Sequence, residues 1–419
     1  MTKNYILLLL VFCIPAAHSQ IIDIPDVHFK ARLLASGPTD GVARDANDQY
    51  LVVDTNNNGE IEVSEALPVR KLEIPGDEIA DLTGIAAFAN LTDLNINNNY
   101  LTSLDVSMLL QLKWLLADYN QISSLSVGPG LEFLGCGNNQ LTSLDVSNCN
   151  ALQNIHCNNN QLATLDLSNK PNLNTIFCFR NVLTNLNIAN SPNISTIWCS
   201  ENLLFGIDLS DAPTLSWLEC DHNQITSLDL SNIALPEWSI FFLYCNDNLF
   251  SSLDLSVANS RVVADCSNNP DLAFINCMGT GTFYDPNAHE PPYPGLFFQN
   301  LPSLMHICAD AVNYEYLDDK ILMYGYTGVT VDATCTLQDV DFAINDLAVY
   351  PNPVSDVFYI HSNEKVDAVD LYNIFGQLVL SAICNQKEFS IDGSKLASGN
   401  YFVKVQSGTS ISWTQLIKQ

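Results

Sequence analysis

Basic residues are scarce in this chain. Its 419 residues include 16 Lys and Arg against 46 Asp and Glu, a net charge of −30. A surface so poor in cations offers no footprint for a phosphate backbone or an anionic lipid surface, which removes nucleic acid and acidic membranes as partners. Cations, neutral glycans and proteins remain. Long apolar runs are missing as well. The run Ile6 to Ile14 is about half of the roughly 20 residues that a spanning helix needs. With Lys3 before it and Ala17-His18-Ser19 after it, residues 1–19 read as a cleaved export signal. The mature chain is therefore expected to be exported, with no transmembrane segment. Catalytic signatures are lacking too: there is no GxSxG, HExxH or phosphate loop, and the seven histidines are scattered. The expectation is a protein that is not an enzyme.

What the chain does have is a period. From Leu131 to Leu230 it repeats every 21 residues, with Cys136, Cys157, Cys178, Cys199 and Cys220 in one column and Asn139, Asn160, Asn181, Asn202 and Asn223 three residues further on. Earlier rows fit the same frame at Leu72 and Ile74 (with Asp77 in the Asn column), Leu94 and Ile96 (Asn99), and Leu115 and Ala117 (Asn120). Later rows add Cys245 with Asn248 and Cys266 with Asn269, for about ten turns over residues 69–270. In each row LxxLxC supplies a short strand with Leu and Cys pointing inward. The Asn turns the chain and can serve backbone groups left unpaired at the bend. A second apolar set, Leu141, Leu144 and Val146 in one row, returns on the other side. A row of 21 residues has little space for a helix, so that side is expected to be extended or 3₁₀. Stacked strands bring the cysteines side by side with parallel Cβ vectors, a poor approach for a disulfide and no tetrahedron for zinc. They are expected to be reduced, core-packed thiols.

These rows resemble the leucine-rich repeat, LxxLxLxxN/CxL, with Cys in place of the third leucine in seven of them. The resemblance implies a right-handed solenoid with a parallel sheet on its concave face. Residues 20–68 lie outside the period and read as an N-terminal cap, with a short amphipathic helix carrying Phe29, Leu33 and Leu34. The cap also contains Asp54-Thr-Asn56-Asn-Asn58-Gly59-Glu60-Ile61-Glu62-Val-Ser-Glu65, which matches the twelve-residue EF-hand calcium loop. Asp54, Asn56, Asn58, the Glu60 carbonyl and Glu65 are the expected Ca²⁺ ligands, Gly59 makes the sharp turn, and Ile61 points to the core. A single copy suits a structural clip and not a sensor. Residues 271–337 break the period and read as an irregular terminal repeat and C-terminal cap, with Cys308 and Cys335 as the disulfide candidate.

After a linker at 338–346, residues 347–419 alternate apolar and polar positions between Pro and Gly punctuation, which predicts an all-β sandwich of about seven strands. Tyr350-Pro351-Asn352-Pro353, Leu371-Tyr372-Asn373 with Gly376-Gln377, the stretch Leu396 to Val405, and Lys418 resemble the sorting domain of type IX secretion substrates in Bacteroidetes. The resemblance implies handling by that secretion machinery and delivery to the cell surface or the medium.

Function is expected on the outward positions of the strands. There the concave face shows Trp114, Phe133, His156, Phe177, Phe179, Trp198, Trp217, Phe242 and Tyr244, with Glu219 and other acids interleaved. Aromatic rows suit stacking on sugar rings or a protein hot spot. The reading is a non-enzymatic recognition or adhesion protein that binds a protein or glycan on this face. Two alternatives stay open: a structural surface spacer, and a polysaccharide-acting enzyme with its site in the Tyr/Pro-rich loop 279–300.

Overall fold

The computed structural model describes residues 20–236, 239–256, 261–283, 295–333, 347–373, 378–397, 399–407 and 410–418. The export signal 1–19, residues 284–294 of the Tyr/Pro-rich loop, Cys335 and the linker 338–346 lie outside the described residues. The chain divides into two compact units, one running to Asn202 with Asp208–Cys220, the other comprising Leu203–Ile207 with the chain from Asp221 onward.

The first unit is a β-solenoid. Strands Lys71–Glu73, Asp93–Asn95, Trp114–Leu116, Phe133–Gly135, Asn154–His156, Thr175–Phe177, Thr196–Trp198 and Trp217–Glu219 stack in parallel. The register is one row per step, so Ile155, Ile176, Ile197 and Leu218 form one buried column. Three residues make a strand because the middle one and the cysteine two positions on face the core, while the outer two face away. At one edge Ala43–Arg44 adds an antiparallel strand to Lys71–Leu72, covering backbone groups that would otherwise be an open edge. On the returning side Thr164–Asp166 pairs with Asn185–Asn187, so that side is extended. Asp145 and Asp166 accept from the N–H of Ser147 and Ser168, closing the tight turns after each short strand.

The asparagine column ties the rows together. Asn181 Nδ2 donates to the carbonyl of Cys157 in the preceding row at 3.1 Å and to that of Cys178 at 3.0 Å, and its Oδ1 accepts from Leu162 N at 3.0 Å. Asn139, Asn160 and Asn202 repeat the arrangement. One residue earlier, Asn138, Asn159, Arg180 and Glu201 take the left-handed conformation that turns the chain out of the strand.

The cysteines of the column are free and fully buried. Burial pushes the Cys157 thiol up to about 12 and the Cys136 and Cys178 thiols well above their ordinary value. A thiol held in that form is neither a nucleophile nor a metal ligand. Ten cysteines of the described residues are free. The native mature protein should therefore react slowly with a thiol reagent, and denaturation without reductant should release about ten equivalents. Release of two or three would mean that the column is oxidised.

The cap packs on the first rows. Helix Val27–Leu34 buries Phe29 and Leu33, and its N-cap Asp26 accepts from His28 N and Phe29 N. The other Asp26 oxygen accepts from Ala80 N and Asp81 N, so one carboxylate joins helix and repeat.

In the second unit, Ile240–Tyr244, Arg261–Asp265 and Gly295–Phe297 continue as parallel strands. Ser252–Asp254, Phe274–Asn276, His306–Cys308 and Thr330–Asp332 form a second parallel sheet. A regular row thus resumes inside residues 271–337, starting at Gly295 within the last residues of the Tyr/Pro-rich loop. Helix Tyr314–Tyr324 follows it, with Lys320 Nζ lying over the rings of Phe297, Tyr316 and Tyr324. Cys308 is disulfide-bonded.

The C-terminal region is an antiparallel sheet of Ala348–Tyr350, Val357–Asn373, Leu378–Asp392, Gly399–Ser407 and Ser410–Lys418. Two of these strands are 17 and 15 residues long and shift register near the middle. Tyr359 to His361 pairs with the strand at Ala348–Tyr350, and Ala368 to Asn373 pairs with Gly399–Ser407, so one long strand does the work of two short ones. That is why the sequence reads as seven strands. Phe358, Ile360, Val369, Leu371, Val403, Val405 and Leu416 form the core.

Candidate functional site

Outward positions of the first unit's strands fall into two columns. The first position of each strand gives Asp93, Trp114, Phe133, Asn154, Thr175, Thr196 and Trp217, and the third gives Asn95, Leu116, Gly135, His156, Phe177, Trp198 and Glu219. The rings use both columns. Trp114 stacks on Phe133 at 5.0 Å between centroids and 4° between planes, in the first column. Phe133 then meets His156 edge to face at 4.9 Å, which carries the stripe into the third-position column. His156 stacks on Phe177 at 4.4 Å and Phe177 on Trp198 at 4.1 Å. Trp217, back in the first column, lies 5.8 Å from Trp198 with a 57° tilt. These five contacts span six adjacent strands, roughly 24 Å at about 4.8 Å per strand.

Gly135 makes the crossing possible. A Cβ there would lie 2.6 Å from Asp118 Oδ2 and 3.3 Å from Leu116 Cδ2. With only hydrogen in that position, Asp118 folds in to accept from Gly137 N at 2.8 Å and Phe133 leans across to His156. Burial raises the Asp118 carboxyl above its usual range, partly offset by the Gly137 hydrogen bond. Burial likewise lowers the His156 imidazole, so that it joins the stack as a neutral ring.

The stack decides what the stripe can offer. Carbon atoms in contact are about 3.5 Å apart, so centroids at 4.1 and 4.4 Å with planes 13° and 17° apart are rings lying largely over one another. Both faces of Phe177 are covered, one by His156 and one by Trp198. Its edge is what meets solvent. Trp114, at the end of the stack, keeps an open side and is 45% exposed. Trp198 Nε1 is buried with no acceptor, so this indole is placed by stacking and not by a hydrogen bond. Trp217 Nε1 instead donates to Glu219 Oε1 at 2.9 Å.

One expected residue stands apart from these rings. Phe179 lies beyond the end of its strand and is half-buried, outside the stack. Phe242 and Tyr244 occupy outward positions of Ile240–Tyr244 in the second unit, paired with Val263 and Asp265. Among the acids, Glu201 pairs with Arg180 at 2.8 Å.

The loop from Asp54 to Glu65 is compact. Gly59 has φ +80°, and Asp54 accepts from Asn58 N and Gly59 N through its two oxygens. Asn58 Oδ1 accepts from Glu60 N at 2.7 Å, and Ile61 is fully buried. Glu65 Oε1 accepts from Thr55 N and Thr55 Oγ1, both at 2.8 Å. Sequence reasoning passed over Glu62. Its carboxylate accepts from Asn56 Nδ2 at 3.1 Å and Asn58 Nδ2 at 2.8 Å, at the centre of the loop. Asp54, Glu62 and Glu65 are 7%, 7% and 5% exposed. The nearby Lys30 pairs with Glu60 instead. Among the described residues no three His, Cys, Asp or Glu side chains converge as a metal cluster; the candidate donors here include two asparagine amides and a backbone carbonyl. Position nine of such a loop was the signal that could have found Glu62.

A parallel-sheet solenoid laced by asparagines is the leucine-rich-repeat fold, and an antiparallel β domain follows it in the chain. Residues 348–419 match the family model described as the secretion system C-terminal sorting domain. No curated protein sequence matches the chain. The functional domain of InlJ from Listeria monocytogenes, described as including a cysteine ladder, is similar in structure. Its TM-score is 0.50 at 18% identity, covering 96% of this chain and 99% of that one. A leucine-rich repeat protein from Leptospira interrogans gives a TM-score of 0.43 at 18% identity, covering 64% of this chain and 74% of that one. YopM from Yersinia pestis gives 0.35 at 24%, covering 57% and 77%. The sorting domain implies export to the cell surface or release. No helix among the described residues is long and apolar enough to cross a membrane.

Proposed function

We propose that this chain is a non-enzymatic recognition protein that binds a protein partner on the ring-bearing face of its first unit. The observation that supports this reading is the continuous stack from Trp114 to Trp217. An apolar stripe of that length on a sheet face is costly in water unless a partner covers it. A glycan would need open ring faces to stack on, and within the stripe those faces are used by neighbouring rings. Ring edges suit the aliphatic and aromatic side chains of a protein. Glycan binding is left with the open side of Trp114.

The test is a binding panel of immobilised extracellular matrix proteins, with a glycan array beside it, probed with the mature chain. Trp198→Ala and Trp217→Ala should each weaken protein binding by about 30-fold, as for a hot spot of about 2 kcal/mol. Binding that is unchanged in both variants would end the reading and favour a spacer. Turnover of a polysaccharide would favour an enzyme.

We also propose that the loop holds a structural calcium ion. Asp54, Asn56, Asn58, the Glu60 carbonyl and Glu65 would hold it, with Glu62 as a further carboxylate. The donors are all hard oxygens, as Ca²⁺ requires. Asp54, Glu62 and Glu65 are each buried carboxylates of one loop, and a bound cation would offset their loss of hydration.

A further inference from the structure

The stripe offers a glycan little, but the second unit carries a groove of a different kind. Its volume is about 610 Å³, within the range of small-molecule sites. Asn268, Pro270, Asn300, Pro302, Tyr324 and Tyr326 line it, and no lining residue carries a charge. The two tyrosines owe their placement to a helix end. Tyr324 closes the helix, and Gly325, at φ +76°, turns the chain so that Tyr326 comes back beside it. The rings stand 6.3 Å apart at 89°. Tyr326 is held in place by the protein: its hydroxyl accepts from Leu301 N at 2.9 Å and donates to the Phe298 carbonyl. Phe298, which does not line the groove, lies parallel to that ring at 6.0 Å. The Tyr324 hydroxyl accepts from Lys320 Nζ at 3.3 Å and keeps its own O–H for donation.

The amides are oriented by a relay. Asp247 Oδ2 accepts from Asn268 Nδ2 at 3.1 Å, and Asn268 Oδ1 accepts from Asn300 Nδ2 at 3.0 Å. A carboxylate can only accept, so it sets which way round each amide lies. The relay ends on Asn300, which is exposed. Among the described residues nothing takes its Oδ1 or the second N–H of its Nδ2. One acceptor and one donor side by side match two neighbouring hydroxyls of a sugar, and the Tyr324 O–H adds a third contact. A ring fixed beforehand lowers the ordering cost of binding. A charged ligand would find no counter-charge in this lining and would lose hydration there. The net charge of −30 repels acidic ligands as well. We propose that the groove between Asn300 and the Tyr324–Tyr326 pair binds a short neutral oligosaccharide. This site uses none of the stripe residues, so it goes beyond the protein-recognition reading and stands or falls apart from it.

The experiment uses the full mature chain labelled with 3-fluorotyrosine. The sequence has 15 tyrosines, and Tyr324→Phe and Tyr326→Phe assign the two signals of the groove. The neutral probes are cellohexaose, maltohexaose, laminarihexaose, xylohexaose, mannohexaose and chitohexaose. A hyaluronan hexasaccharide is the acidic comparison and an uncharged Gly-Ser hexapeptide the peptide one. At least one neutral hexaose should shift both signals saturably, and neither comparison should. Asn300→Gly suits the left-handed backbone there, at φ +55°, and removes only the amide. It should weaken the response at least tenfold. Tyr324→Phe keeps the ring and should weaken the response about fivefold at the Tyr326 signal, as for one hydrogen bond. Thermal unfolding of both variants checks that the groove is intact; if Asn300→Gly unfolds early, Tyr324→Phe carries the test. No saturable shift from any neutral hexaose, or an undiminished response in the intact variants, would overturn the proposal. So would an equal shift by hyaluronan or the peptide. Loss of the response in Trp114→Ala but not in Asn300→Gly would put the sugar on the stripe and overturn it too.

Discussion

Replacing Asn181 by Ala will destabilise the repeat unit by about 3 kcal/mol or more, taking about 1–3 kcal/mol for each buried group left without a partner. The amide serves three buried backbone groups: the carbonyls of Cys157 and Cys178 and the N–H of Leu162. Alanine cannot reach any of them, and at 8% exposure the position gives water little access to replace the amide. Asn181→Asp should be at least as damaging, because a carboxylate would face two carbonyl oxygens. Gln161→Ala, on an exposed side chain one row away, should stay within about 0.5 kcal/mol. Urea unfolding of the mature chain measures all three. A loss at Asn181 no larger than at Gln161 would mean that the asparagine column does not hold the rows together. Repeat arrays are coupled to their neighbours, so the loss should also appear as faster amide exchange in the rows on either side.

The second large effect is expected from chelation, if the loop holds calcium as proposed. At a free calcium concentration of 100 times Kd, binding to the native cap alone contributes about 2.7 kcal/mol. Chelation should lower the cap's unfolding temperature by several degrees, and calcium should restore it while magnesium, which demands tighter octahedral geometry, restores less. Asp54→Ala should be destabilised and indifferent to chelator. Glu62→Gln separates the structural from the metal role: it keeps the shape of the side chain, removes one charge, and should lower calcium affinity. An unchanged melting temperature in chelator, with Asp54→Ala equally silent, would refute the site. The cap is a sensitive place to look. Ile22 N donates to the Ile61 carbonyl and Val63 N to that of Gln20, so the loop's exit strand is tied to the start of the described chain.

Much of this was legible in the row of 21 residues. A constant period stacks like on like, so the columns of Leu, Cys and Asn stated which side chains face the core before any coordinates. The direction of Cys178 and Asn181 follows from alternation along a strand. The outward residues were legible for the same reason, and Trp114, Phe133, His156, Phe177, Trp198 and Trp217 do share one face. The row did not reveal ring orientation, because alternation gives the side of the sheet and not the side-chain torsions. It could not reveal the crossing at Gly135, which depends on Asp118 folding into the space a Cβ would fill. Nor could it exclude Phe179, which lies two residues past the end of its strand.

By itself, then, the sequence determined the solenoid, its inward columns and the export tail, because each is a short-range pattern repeated until it is unambiguous. Tertiary structure alone decided that the rings cover one another's faces, that Trp217 donates to Glu219, and that Glu62 sits among the loop's donors. Those are distances between side chains on different strands and turns. They depend on packing, which no single row contains.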